Sequence, residues 1–152
     1  MYIFDTNIFL TLKPYYKSRF PTIWARLDTL AAGGKLFSVR EVYSEIKDDS
    51  GDVADWVHGH KSIFRDPTEA EFLFVSEIFK HKHFQGLIKP GDINKGRRVA
   101  DPFVIAAAKI YNSIVVTQEQ FVPNGARIPN VCAKFGIPCI NMEKFLEKEK
   151  LP

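Results

Sequence analysis

Residues 1–7 read Met1-Tyr2-Ile3-Phe4-Asp5-Thr6-Asn7. The short apolar run Tyr2-Ile3-Phe4 breaks off into three polar residues, the pattern of a buried strand that delivers functional side chains at its carboxyl end. In open α/β sheets that edge is where ligands bind. With this strand at the centre of a sheet, carboxylates at the ends of later elements can converge on Asp5, and Glu45, Asp101 and Glu119 are placed to do so.

The chain outward from this stretch alternates strands with helices. Pro21 opens a helix through Ile23, Trp24, Leu27 and Leu30 that stops at Gly33-Gly34, and Lys35-Leu36-Phe37 follows as a short strand. Ser38 and Glu41 have capping-box spacing for a helix carrying Val42, Glu45 and Ile46, with Glu45 expected at the edge of its apolar face. Asp48 to Asp52 reads as a polar turn ending in a cap for a helix with Val53, Trp56 and Val57. Asp66-Pro67-Thr68-Glu69 reads as a second start signal, with Asp66 as N-cap. The helix after it spreads Phe72, Phe74, Val75, Ile78 and Phe79 over a wide apolar surface, which predicts burial on several sides or contact with another subunit.

Lys80-His81-Lys82-His83 places cations at that helix's carboxyl end. The turn-rich segment 89–98, KPGDINKGRR, then leads into Asp101-Pro102 and an alanine-rich helix from Phe103 to Tyr111. Asp101 suits the N-cap position. Ser113 to Thr117 is a strand ending in Gln118-Glu119; a helix near Val131–Phe135, a strand over 137–140 and an amphipathic tail from Met142 follow. This alternation predicts an α/β fold with a central parallel β-sheet flanked by α-helices. At 152 residues, 45% of them hydrophobic, the chain is expected to form a single domain over residues 1–152.

Composition narrows the function classes. The formal net charge of +3 is mild, so nucleic-acid binding would have to come from the distribution of charge rather than its total. No apolar run approaches the ~20 residues that span a bilayer. The first residues lack the features of a signal peptide, and Cys132 and Cys139 have no zinc-like spacing; both point to a cytoplasmic protein with reduced cysteines and no membrane partner.

Four carboxylates in one pocket repel one another unless a cation compensates them. An all-oxygen donor set of Asp5, Glu45, Asp101 and Glu119 favours Mg²⁺ or Mn²⁺ over zinc, and such ions support in-line attack of water on a phosphodiester. Each acid also has a plain structural use: Asp5 in a strand-end turn, Glu45 on a helix edge, Asp101 as a cap and Glu119 in a loop. The functional case rests on the set.

The order of these segments resembles the PIN-domain nucleases over essentially the whole chain. The matching stretches are Ile3-Phe4-Asp5-Thr6-Asn7, Val42-Tyr43-Ser44-Glu45-Ile46, the run from Asp101-Pro102-Phe103 to Ala108, and the run from Ile114 to Glu119-Gln120-Phe121. The resemblance implies a single PIN-like domain with Asp5, Glu45, Asp101 and Glu119 as catalytic, metal-binding acids. Glu119 departs from the aspartate common at its position. Asn7 and Thr117 match positions that support the acids and bound waters. The resemblance further implies a Mg²⁺- or Mn²⁺-dependent endoribonuclease, similar to the virulence-associated C toxins of prokaryotic toxin-antitoxin pairs, with an antitoxin partner and a homodimer. Lys95, Arg97 and Arg98, just before Asp101, are candidate contacts to RNA phosphates. Two other readings compete: a catalytically silent PIN-like module that binds RNA or protein, and a phosphatase using Asp5 as nucleophile. The phosphatase lacks its expected second acid, because Asn7 stands there.

Overall fold

The computed structural model describes residues 1–88 and 99–152. The segment holding Lys95, Arg97 and Arg98 therefore lies outside the described residues. Five strands form one parallel sheet in the order β3-β2-β1-β4-β5: β1 Tyr2–Phe4, β2 Leu36–Val39, β3 Phe64–Arg65, β4 Ile114–Val116 and β5 Cys139–Ile140. The helices are α1 Thr6–Thr11, α2 Pro21–Ala32, α3 Arg40–Ile46, α4 Asp52–Gly59, α5 Glu69–Lys80, α6 Asp101–Ile110, α7 Ile128–Phe135 and α8 Met142–Lys148. The expected α/β architecture is thus present, with the first strand at its centre.

β1 is central because it is apolar on both faces: Tyr2, Ile3 and Phe4 are all buried. Phe4 meets Phe9 and Phe145 edge-on, at centroid separations of 5.7 and 5.1 Å. Ala106, Ala107 and Ala108 let α6 lie close against the sheet. Tyr2 Oη donates to Glu149 at 2.6 Å and Arg26 pairs with the same carboxylate at 2.7 Å, fastening the chain end to the first strand. Among the described residues no helix is long and apolar enough to cross a membrane.

Several local expectations are corrected. The polar edge Asp5-Thr6-Asn7 does not remain a loop, because α1 starts at Thr6 with Asp5 as its N-cap. Ser38 and Glu41 form no capping box: Ser38 lies inside β2 and donates to the Phe4 carbonyl at 2.6 Å, so a tertiary bond displaces the local one. The true box is Thr68 with Glu71, while Asp66, the expected cap, pairs with Arg40. Gly51, with φ of 91°, caps α4 in place of Asp52, whose Oδ2 accepts the Lys17 N–H. Asp101 is the first residue of α6 and Ala100 is the cap. Strand β3 is only two residues long, too short to leave a periodic signal.

The aromatic surface of α5 is shared out. Ile78 is fully buried, Phe74 packs edge-on against Phe135, and Phe72 is half exposed with its ring against Phe103. Core packing therefore uses part of this surface, and Phe72 and Leu73 remain at the exterior.

Candidate active site

The strand order places the site. From β1 the chain moves outward to β2 and β3, then returns to lay β4 on the other side of β1. The connections therefore diverge between β1 and β4, and a crevice opens at their carboxyl ends. Phe4 is in register with Val116, so Asp5 and Thr117 leave the sheet side by side.

Asp5 is 3% exposed. Its Oδ1 accepts the Thr6 N–H at 2.7 Å and its Oδ2 accepts the Thr117 hydroxyl at 2.9 Å. Burial pushes its carboxyl up to about 6 from 3.8; the bonds from Thr117 and Thr6 oppose that rise, and the negative charges of Glu119 and Glu45 add to it. Asp5, Glu119 and Glu45 therefore act on one another through their fields.

Thr117 joins these groups. Besides donating to Asp5, its Oγ1 accepts from Asn7 Nδ2 at 3.1 Å and from the Glu119 N–H at 3.2 Å. A hydroxyl has one proton, and the 2.9 Å contact with Asp5 is favoured over the 3.4 Å contact with Asn7 Oδ1. Asn7 Oδ1 instead accepts the Gln118 N–H at 2.9 Å, fixing the segment that carries Glu119.

The other acids are placed by the elements that carry them. Glu45 is solvent-exposed, against its expected place at the edge of the apolar face, and its Oε2 accepts from Thr6 Oγ1. Glu119 is half-buried, and its Oε2 accepts the Ile128 N–H at 2.9 Å at the start of α7. Asp101 is half-buried at the first residue of α6. That helix runs about 15 Å at 1.5 Å per residue and enters β4 through a three-residue turn, 111–113. Its carboxyl end is therefore at the amino end of β4, which puts Asp101 at the same sheet edge as Asp5.

Among the described residues, no three His, Cys, Asp or Glu side chains draw together into a metal cage. Each of these acids has a protein donor: Asp5 accepts from Thr6 and Thr117, Glu119 from Ile128 and Glu45 from Thr6. The donor set is hard oxygen throughout, and Asp5 carries a buried charge that a cation would stabilise. This chemistry fits Mg²⁺ or Mn²⁺.

Thr6, Glu41 and the Cys132–Cys139 pair take places in the fold that differ from those expected of them or that were not expected at all. Thr6 connects the first strand's end to Glu45. Glu41, one turn before Glu45 on the same helical face, is 4% exposed, and its Oε2 has no hydrogen-bond partner. Cys132 and Cys139 share a thiol hydrogen bond, which together with burial raises Cys132; the same bond lowers Cys139 against the opposing effect of burial.

Comparison with solved structures shows the same fold elsewhere. The crystal structure of FitAcB from Neisseria gonorrhoeae matches with a TM-score of 0.54 at 15% identity, over 93% of this chain and 97% of that one. FitAB bound to an IR36 DNA fragment matches with a TM-score of 0.51 at 15% identity, over 93% and 94%. The fold is thus the PIN-like α/β fold. A search of curated proteins found no match. Residues 2–152 match a family described as a domain of unknown function, DUF4411, and the chain belongs to that family.

Proposed function

We propose that the chain is a Mg²⁺- or Mn²⁺-dependent endoribonuclease and serves as the toxin of a toxin-antitoxin pair. The observation that carries this reading is the buried Asp5 carboxylate at the crevice between β1 and β4, within the fields of Glu45 and Glu119. Asp5, Asp101, Glu45 and Glu119 would hold the ion. When bound, the ion supplies positive charge against the charge developing on phosphate and acidifies water for hydrolysis.

The chain's own residues do the positioning. Thr6 and Thr117 fix both Asp5 oxygens, so that carboxylate is oriented before substrate arrives. Asn7 holds Thr117 and the Gln118 backbone, transmitting the position of β1 to Glu119. Glu119 accepts a backbone N–H through Oε2, so its other oxygen is the one that would be available to hold an ion. Lys95, Arg97 and Arg98 precede Asp101 and are proposed to contact RNA phosphates, setting affinity more than sequence choice.

The PIN-like fold and the sequence resemblance support the toxin role, an antitoxin partner and a homodimer. A second reading, binding of RNA without turnover, is favoured by Glu119's use as a cap for α7. Thermal stability in EDTA, Mg²⁺ and Mn²⁺, measured beside cleavage of total RNA, separates them. The nuclease predicts metal-dependent stabilisation of about 2.7 kcal/mol at a hundredfold excess over Kd, together with cleavage. RNA retention without turnover in either metal would favour the binder.

A further inference from the structure

The segment after Glu119 is pinned at many points and yet presents an aromatic ring to solvent. Phe121 is 58% exposed and its neighbour Val122 is 38% exposed. Single exposed apolar residues are ordinary. What sets Phe121 apart is the fixity of its surroundings. Asn130, 8% exposed, donates to the Val122 carbonyl at 2.7 Å and accepts the Val122 N–H at 3.4 Å. The Gly125 N–H also reaches the Val122 carbonyl, at 2.7 Å, and a Cβ on Gly125 would come within 2.9 Å of that oxygen. From the other side, a His83 ring nitrogen donates to the Gly125 carbonyl at 3.0 Å, and Glu119 holds Ile128. A ring displayed on so well-fastened a backbone loses little entropy when a ligand packs on it.

Phe121 borders a cleft of about 420 Å³ that also touches Thr117, Glu119, Asn141 and Lys144. One wall of this cleft therefore belongs to the candidate active site. Lys144 has its backbone N–H bonded to Asn141 Oδ1, and its Nζ makes a surface pair with Glu147 at 2.8 Å. Such an exposed pair is weak and yields to a stronger anion. An aromatic face, a cation and amide side chains in one open cleft match the π-face, phosphate and base edges of a nucleotide. A groove for an amphipathic helix would instead show a row of apolar anchor pockets.

We infer that Phe121 is a stacking platform for one base of single-stranded RNA beside the reacting phosphate, with Lys144 receiving a backbone phosphate. This rests on the nuclease reading for the substrate class. Stacking tolerates any base, so this contact sets the register of the strand over Asp5 and Glu119 rather than its sequence.

The test is equilibrium binding in EDTA, where a metal-dependent enzyme makes no cut, of a short oligouridylate carrying one 2-aminopurine, whose fluorescence is quenched by stacking. Phe121→Leu keeps apolar bulk and removes the ring; Phe121→Trp keeps a ring. Phe121→Leu should weaken affinity by about 5- to 150-fold and lose the quench, the cost of one base–aromatic stack, while Phe121→Trp retains both. Unfolding midpoints of all three proteins should agree, because the side chain is exposed. Equal affinity and equal quench in wild type and Phe121→Leu would overturn the inference, and so would failure of the wild type to bind. Total-RNA cleavage keeps the two readings apart. Unchanged KM in Phe121→Leu with metal-dependent cleavage intact sinks the stack alone. A ring-dependent affinity without any cleavage sinks the nuclease reading alone.

Discussion

Replacing Asp5 with asparagine should make the protein more stable at alkaline pH while removing its activity. In the folded chain Asp5 ionises at about 6 against 3.8 for a free carboxyl, chiefly because it is buried. The sign follows from linkage. A carboxyl raised on folding contributes stability that is fully present below its unfolded pKa and is lost as pH rises through its folded pKa. A shift of about 2 units at about 1.4 kcal/mol per unit gives roughly 3 kcal/mol of destabilisation above pH ~7. Asparagine carries no charge, so it escapes that cost. It keeps an acceptor for the Thr6 N–H but turns an amide toward Thr117, a mismatch of about 1 kcal/mol. The net expectation is a gain of about 2 kcal/mol for Asp5→Asn at pH ~8 that has disappeared by pH ~4, where the roughly 0.5 kcal/mol of charge cost that remains is smaller than the mismatch. Urea unfolding followed by circular dichroism in EDTA at both pH values measures this difference, and other titrating groups cancel between the two proteins. An Asp5→Asn variant less stable than wild type at pH ~8, or a gain equal at both pH values, would refute the buried-charge argument.

Thr117→Val removes the donor to Asp5 Oδ2 and the acceptor for the Glu119 N–H without changing side-chain shape much. Asp5 should then titrate higher still, and stability should fall by about 1–3 kcal/mol near neutral pH; carbon-detected NMR titration of Asp5 checks the first and urea unfolding the second. Glu41→Met replaces a buried carboxylate whose Oε2 has no partner, and should raise stability by about 1–3 kcal/mol in EDTA. A loss of stability on Glu41→Met would instead show that the Arg40 contact to Oε1, at 3.5 Å, outweighs the cost of the unpartnered oxygen.

The frame of the molecule was legible because burial leaves a mark in sequence. Tyr2-Ile3-Phe4 ending in Asp5 announced the central strand, and Ser113 to Thr117 announced a later strand, observed as Ile114–Val116. Pro21 and Gly33-Gly34 bounded α2 in the sequence and do so in the fold. The site was legible only in its parts. Asp5 was read at a strand end, but its second role, capping α1, was hidden because Thr6 and Asn7 looked like loop residues while Ile8 and Phe9 already belonged to a buried helical face. The Ser38–Glu41 pairing failed because Ser38 found a carbonyl on β1, a partner that local spacing cannot reveal. Thr117's place between Asp5, Asn7 and Glu119 depends on β4 lying beside β1, which joins residues more than a hundred positions apart. Glu45 stands more open to water than its apolar neighbours suggested, and its donor Thr6 lies on the first helix, a partner that local spacing cannot reveal.

The most direct test of the account is cleavage of total RNA by wild type, Asp5→Asn and Asp101→Asn in EDTA, Mg²⁺ and Mn²⁺, with folding of each protein verified by circular dichroism. Wild type should cleave in Mg²⁺ or Mn²⁺ and not in EDTA, and neither variant should cleave in any condition. Cleavage in EDTA, or cleavage retained by either folded variant, would contradict a hydrolysis centre built on these carboxylates.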